Sequence, residues 1–206
     1  MYVIGIGPGD PDYLLPAATK AVSKCQVLVG GSRALNLFPD RGQERLLVTA
    51  DLSGLKRFLQ ERLEAGKNVA VLVSGDPGFY SLLPFLKKSF PTEPLEVIPG
   101  ISSLQAAFAR AALPWQGSSL QSAHGRPLTE IDTDQASLLG LLTGKDNTPQ
   151  RIAAYLLEQG PNRRAFVGDN LSYSQEIWLE TDLQELAASV MTYANAVVIV
   201  LPWEED

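Results

Sequence analysis

Val71-Leu72-Val73-Ser74-Gly75-Asp76-Pro77-Gly78-Phe79-Tyr80 is the stretch that most restricts what this chain can fold into. A short apolar run ends in a polar turn rich in glycine and proline, and a helical pattern follows from about Phe79. Apolar runs of this length, bounded by turn residues, read as buried strands. Residues 75–78 then stand at the carboxyl end of a strand, where open α/β sheets place their ligands. Glycine permits unusual dihedrals or close approach, and Pro77 restricts Asp76 to extended values. An acid held between two glycines at such a point fits a ligand loop, although structural turns share the pattern.

The same alternation runs along the chain. Strand patterns at residues 2–6, 26–29, 45–48, 69–73 and 95–98 are separated by helical patterns at 14–23, after Ser32, at 55–64, at 79–88 and at 104–111. Ser32 is a candidate cap for its helix, and Asp51 or Ser53 for the next. Leu55, Phe58, Leu59 and Leu63 form an apolar stripe at helical spacing. Strand, helix, strand in this order favours a parallel sheet. The second half adds strand patterns at 118–122, 137–142, 164–167, 176–179 and 196–200. Its helices are expected from Thr148-Pro149 to Leu157 and over 183–188. The expected fold is α/β, with two α/β domains covering 1–114 and 115–206. They meet near Leu113-Pro114-Trp115-Gln116-Gly117 with a cleft between them.

Composition narrows the function classes. A formal net charge of −6 with no strongly basic tract argues against a nonspecific nucleic-acid binder. The single cysteine, Cys25, permits no internal disulfide and reads as a packed thiol in a reducing compartment. With one histidine and one cysteine, a structural zinc site is not expected. No apolar run approaches ~20 residues and the N-terminus opens on a strand pattern, so the expectation is a cytoplasmic protein without a membrane span.

Gly5-Ile6-Gly7-Pro8-Gly9-Asp10-Pro11 invites comparison with a dinucleotide fingerprint, but that motif needs its third glycine inside a helix N-terminus. Here two prolines interrupt the segment, which makes a rigid loop the better reading. Asp10 and Asp12 can cap the next element or face a ligand, and capping is the stronger default. A second polar loop, Pro99-Gly100-Ile101-Ser102-Ser103, precedes an alanine-rich helix; Ser102 can cap it, and both hydroxyls can also meet a cofactor. His124, between Ala123 and Gly125-Arg126, lies in a polar loop rather than on an apolar stripe. No nucleophile elbow, kinase signature, phosphate loop or metal constellation is present in the sequence. Such loops suit positioning of an elaborate small molecule, and group transfer from an activated donor needs no enzyme nucleophile.

The Gly5 to Pro11 opening, the Ser74-Gly75-Asp76-Pro77 turn, the Pro99 to Ser103 loop, Leu142-Thr143-Gly144, Val167-Gly168-Asp169-Asn170-Leu171 and the Ala196 strand together resemble the tetrapyrrole methylase family. The match runs in order over nearly the whole chain. Within the family, Ser122-Ala123-His124-Gly125-Arg126 and the overall length are similar to the branch that methylates C5 of precorrin-7 or cobalt-precorrin-7 in cobalamin biosynthesis. Some relatives fuse a second module for C15 methylation and decarboxylation; this chain stops at Asp206, so only the C5 step is expected.

The resemblance implies S-adenosyl-L-methionine as methyl donor, with S-adenosyl-L-homocysteine as product. It implies donor contacts from Gly75, Asp76, Pro77, Phe79, Tyr80, Ser102, Ser103, Leu142, Asp169, Asn170 and Ala196. Gly7, Pro8 and Asp10 would line the tetrapyrrole side, with Arg33, His124, Arg126 and Lys145 as cations for its carboxylates. No residue is expected to act as an obligatory catalytic base, and no metal is expected on protein ligands. The family also implies a homodimer, with a separate C15-methylating, decarboxylating protein as functional partner. Competing readings are methylation at another precorrin position or of uroporphyrinogen, a noncatalytic corrin-pathway binding subunit, and a Rossmann oxidoreductase.

Overall fold

The apolar runs of the first half become five parallel strands: β1 (Tyr2–Gly5), β2 (Val27–Gly30), β3 (Glu44–Leu47), β4 (Val69–Val73) and β5 (Glu96–Ile98). They pair in the order β3-β2-β4-β1-β5 in the computed structural model, which describes residues 1–203. Central β4 is buried along its whole length. Its alternate residues feed two cores, as a period of two requires. Val69, Val71 and Val73 join Leu55, Leu59 and Leu86 on one face, while Ala70 and Leu72 join Ala18, Ala21, Val22, Ala34 and Leu35 on the other. Helices α1 (Pro16–Val22) and α2 (Ser32–Asn36) therefore cover one face, and α3 (Leu52–Glu64) and α4 (Leu83–Ser89) the other.

Asp51 caps α3, accepting from Gly54 N–H at 2.8 Å, and Gly66 at φ +70° follows its end. Ser32 is not a cap: the cap position of α2 is Gly31, which supplies no side chain. Fully burying a leucine such as Leu59 stabilises by about 2 kcal/mol. The helix expected from Phe79 starts only at Leu83. Phe79 N–H instead closes a turn onto Asp76 O at 3.2 Å, and Tyr80 at φ +45° cannot continue a right-handed helix.

The second unit begins at Ser103, since α5 (Ser103–Arg110) packs on strands of the second half rather than on the first sheet. The division thus precedes the composition break near residue 115. Strands β6 (Ser119–Ser122), β7 (Leu139–Leu142), β8 (Arg164–Asp169), β9 (Ile177–Asp182) and β10 (Ala196–Val200) form a mixed sheet in the order β6-β7-β10-β8-β9. Only β6 and β7 are parallel.

One face is covered by α6 (Pro149–Gln159), capped by Thr148, and α7 (Leu183–Ala188), through Ile152, Leu156, Leu183 and Leu186. On the other, the Phe108 ring lies where a methyl at Gly140 would sit, 2.8 Å away, which explains a glycine inside a strand. Among the described residues no helix is long and apolar enough to cross a membrane.

Candidate functional site

In the first unit the expected site residues all fall at the carboxyl edge of the parallel sheet. Past the end of β1, Ile6 N–H donates to Val73 O at 3.0 Å. Gly75 N–H then donates to Gly7 O at 2.9 Å and Gly7 N–H to Gly75 O at 3.3 Å. Both glycines have positive φ, +78° and +66°. The loop after β5 closes on this pair from the other side. A methyl placed on Gly5 would stand 2.6 Å from both Gly75 O and Gly100 N, so three strand-end loops meet backbone to backbone. On Gly75 it would lie 3.3 Å from Ser102 Cα.

Asp76 fastens this junction. Its Oδ1 accepts from Gly78 N–H at 2.7 Å and its Oδ2 from Gly100 N–H at 3.0 Å, so the carboxylate ties the β4 loop to the β5 loop. Pro77 and Ser102 are buried, Phe79 and Ser103 half-buried. Tyr80 leaves 47% of its surface open and meets the Phe79 ring edge-on at 4.8 Å. Left-handed backbone in a tyrosine costs about 1 kcal/mol or more and persists where the surroundings impose it.

The expected acceptor-side residues of this unit are braced against one another. Gly7 and Pro8 are buried, and the exposed Arg33 donates from Nη2 to Pro8 O at 3.0 Å. Asp10 Oδ1 accepts from Asp12 N–H at 2.8 Å and caps the short 3₁₀ turn Pro11–Tyr13.

The second unit also gathers its expected residues at one sheet edge, by different means. The carboxyl ends of β6, β7 and β8 and the start of β10 share that edge, because β10 runs antiparallel to β7 and β8. Ala196 lies opposite Asp169 in the ladder, and Leu142 opposite Val197. Asp169 is strand, not loop, and only 2% exposed. Its Oδ1 accepts from Asn195 N–H at 2.7 Å and Ala194 N–H at 3.0 Å, and Oδ2 accepts from the Asn170 amide at 3.1 Å. Asn170, at φ +48°, also accepts on Oδ1 from Asn195 Nδ2 at 2.9 Å. Asp169 is thus a clamp for the start of β10.

His124, Arg126 and Lys145 are exposed on the two neighbouring loops that follow β6 and β7. His124 N–H donates to Ser122 Oγ at 3.2 Å, and a methyl on Gly144 would lie 3.1 Å from both His124 Cα and Nδ1.

Two residues of this edge make bonds that the sequence reading does not assign: Thr143, though it stands in the Leu142-Thr143-Gly144 motif, and Asn147. Thr143 Oγ1 donates to Ala196 O at 2.7 Å, and the buried Asn147 donates from Nδ2 to Ala123 O at 2.8 Å and Arg126 O at 2.7 Å. The only signal for Asn147 was its place in a polar loop before a capped helix. A side chain that bonds backbone carbonyls distant in sequence leaves no local pattern.

Residues 1–187 match the family model described as Tetrapyrrole (Corrin/Porphyrin) Methylases. The chain belongs to the tetrapyrrole methylase family. Two relatives match over almost their full length. One is a protein of Methanocaldococcus jannaschii named probable cobalt-precorrin-7 C(5)-methyltransferase, 32% identical over 96% of each chain. The other is the cobalt-precorrin-7 C(5)-methyltransferase of Salmonella typhimurium, 33% identical over 96% of this chain and 97% of that one. Among solved structures, the uroporphyrin-III C-methyltransferase of Thermus thermophilus complexed with S-adenosyl homocysteine superimposes with a TM-score of 0.77 at 26% identity, covering 97% and 91% of the two chains. The two α/β units described above are therefore this family's fold, and the strand-end loops that resembled it in sequence are the ones gathered at the two sheet edges.

Proposed function

We propose that this tetrapyrrole methylase transfers the methyl group of S-adenosyl-L-methionine to C5 of precorrin-7 or cobalt-precorrin-7, a step of cobalamin biosynthesis. The observation that carries the reading is the near full-length match to two proteins named for that reaction. The junction of Gly5, Gly75 and Gly100 supports it. The close backbone packing there fixes the loops at the carboxyl edge of the sheet, where α/β folds bind small molecules.

When bound, the donor supplies an electrophilic sulfonium methyl group. Gly75, Asp76 and Pro77 with Phe79 and Tyr80, and Ser102 and Ser103, are the residues we assign to hold it. Leu142, Asn170 and Ala196 are assigned with them, and Asp169 acts through Asn170 and the start of β10. Asp76 contributes by fixing the two loops it bonds, since both its oxygens already accept backbone N–H groups.

On the acceptor side, Gly7, Pro8 and Asp10 supply a rigid wall, Arg33, Arg126 and Lys145 supply cations for the carboxylates of a corrinoid, and His124 adds a hydrogen-bonding imidazole beside them. An electron-rich ring carbon needs no enzyme nucleophile, so the residues align the reactants and exclude water. On the ground of family resemblance we also infer a cytoplasmic homodimer that works beside a separate C15-methylating, decarboxylating protein.

Anaerobic incubation with methyl-labelled S-adenosyl-L-methionine and both metal-free and cobalt-containing precorrin-7, followed by localisation of the label, tests the reaction. Label on C5 is expected. Label on another carbon would move the enzyme to a different step of the family, and donor binding without transfer to any tetrapyrrole would leave a binding subunit instead. Light scattering of the purified protein tests the dimer.

A further inference from the structure

We infer that Asn147 is a positioning residue for the loop that presents His124 and Arg126, an inference that rests on the acceptor role proposed for those two side chains. Three observations carry it. Asn147 is buried, 7% exposed, yet the residues it serves are exposed. Its single amide nitrogen spends both protons on Ala123 O at 2.8 Å and Arg126 O at 2.7 Å, the two carbonyls that bracket His124 and Gly125. Its backbone carbonyl accepts from Gly144 N–H at 3.1 Å, and Gly144 in turn is packed against His124, where a methyl would lie 3.1 Å from Cα and Nδ1.

The loop after β6 is therefore closed by a side chain from the loop after β7. Gly125, at φ +65°, makes the reversal that brings the two carbonyls to one nitrogen. An exposed loop of this kind has little apolar contact to order it, so buried polar bonds must do so. Asparagine suits the position because the carbonyls need two donors from one point. Aspartate would oppose them with lone pairs, and alanine would remove both donors.

The test uses a convenience of the sequence. His124 is the chain's only histidine, so in untagged protein its imidazole Hε1 proton gives one assignable NMR resonance. In Asn147→Ala that resonance is expected to shift or broaden. The KM for the corrinoid acceptor should rise about tenfold with kcat within about threefold, the signature of lost uniform binding. Calorimetry with S-adenosyl-L-methionine should give a donor Kd within about twofold of the parent. Asn147→Asp should show the same acceptor defect, since its carboxylate offers the two carbonyls no donor. Gly144→Ala, which leaves the amide bonds in place but presses on His124, should also displace the resonance.

An unchanged His124 resonance in Asn147→Ala and Asn147→Asp overturns the positioning role, as does an acceptor KM that stays at the parental value while the parent is active. Equal loss of donor and acceptor binding overturns it too, in favour of general destabilisation. A parent that methylates no tetrapyrrole defeats the proposed reaction, while the NMR comparison still decides what Asn147 does to the loop.

Discussion

The two sheet edges that carry the candidate site are held rigid in opposite ways. At the parallel sheet, Gly5, Gly75 and Gly100 let three loops touch backbone to backbone, and the acid that ties two of them, Asp76, is only half-buried. At the mixed sheet, buried and half-buried polar side chains do the work: Asp169 holds residues 194 and 195, Asn147 holds 123 and 126, and Thr143 holds Ala196. Topology explains the difference. Parallel neighbours end side by side, so their loops can pack directly once side chains are absent. In the mixed sheet one strand starts where its neighbours end, and its leading N–H groups lack ladder partners. The first edge should thus be intolerant of added atoms, and the second of lost acceptors and donors.

Gly5→Ala should have the largest effect, at least about 3 kcal/mol of stability, because its methyl meets backbone on both sides and no rotamer can relieve it. Asp169→Ala should come next, about 2–3 kcal/mol, since it strips acceptors from Ala194, Asn195 and the Asn170 amide. Urea titrations followed by two probes separate the edges. All three tryptophans, Trp115, Trp178 and Trp203, lie beyond Ser102, so fluorescence reports the second unit while circular dichroism reports both. The midpoint shift of Gly5→Ala should be larger by circular dichroism than by fluorescence, and that of Asp169→Ala at least as large by fluorescence. Equal shifts by both probes in both variants would break the comparison.

Asp76→Asn probes the side chain that ties the β4 loop to the β5 loop. The amide must turn an N–H toward Gly78 or Gly100, losing one of two bonds at a half-buried site, which costs about 1–2 kcal/mol. Calorimetry should show weaker binding of S-adenosyl-L-methionine as the two loops loosen. Parental affinity together with parental stability would remove Asp76 from the junction.

How much of this was legible follows the same division. β4 was read with its observed ends because five apolar residues between turn signals admit little else, and the glycine loops were marked by composition. The start of α4 was not, because the apolar spacing from Phe79 onward fits a helix and nothing local announces the positive φ of Tyr80. Gly168-Asp169-Asn170 reads as a loop on composition, yet Asp169 completes β8, since burial of its carboxylate depends on N–H groups 25 residues away. Likewise α5 precedes the composition break at Pro114 but belongs with the second sheet, because it packs on β7 and β10, with the Phe108 ring against Gly140. Backbone contacts by glycine leave a mark in sequence; side-chain bonds to distant carbonyls do not.

The amino edge of the parallel sheet supplies the remaining contrast and the smallest expected effect. There Glu44, the first residue of β3, accepts from Arg62 Nε at 3.0 Å and Nη2 at 2.6 Å, and from Lys67 Nζ at 2.9 Å. The Arg62 guanidinium first, then the Lys67 ammonium, hold its carboxyl at about 2 against an ordinary 4.5. A folded-state value below the unfolded one means the cluster stabilises fully above pH 4.5 and loses that contribution as pH falls from 4.5 toward 2. These charges face water, so the gain is modest and screened by salt. The melting-temperature difference between the parent and Glu44→Gln should therefore be small and positive at pH 7, shrink below pH 4.5, and diminish in 1 M salt. A difference that survives both treatments would mean that the seating of the Arg62 guanidinium over the Phe58 ring, rather than its ion pair with Glu44, holds this edge.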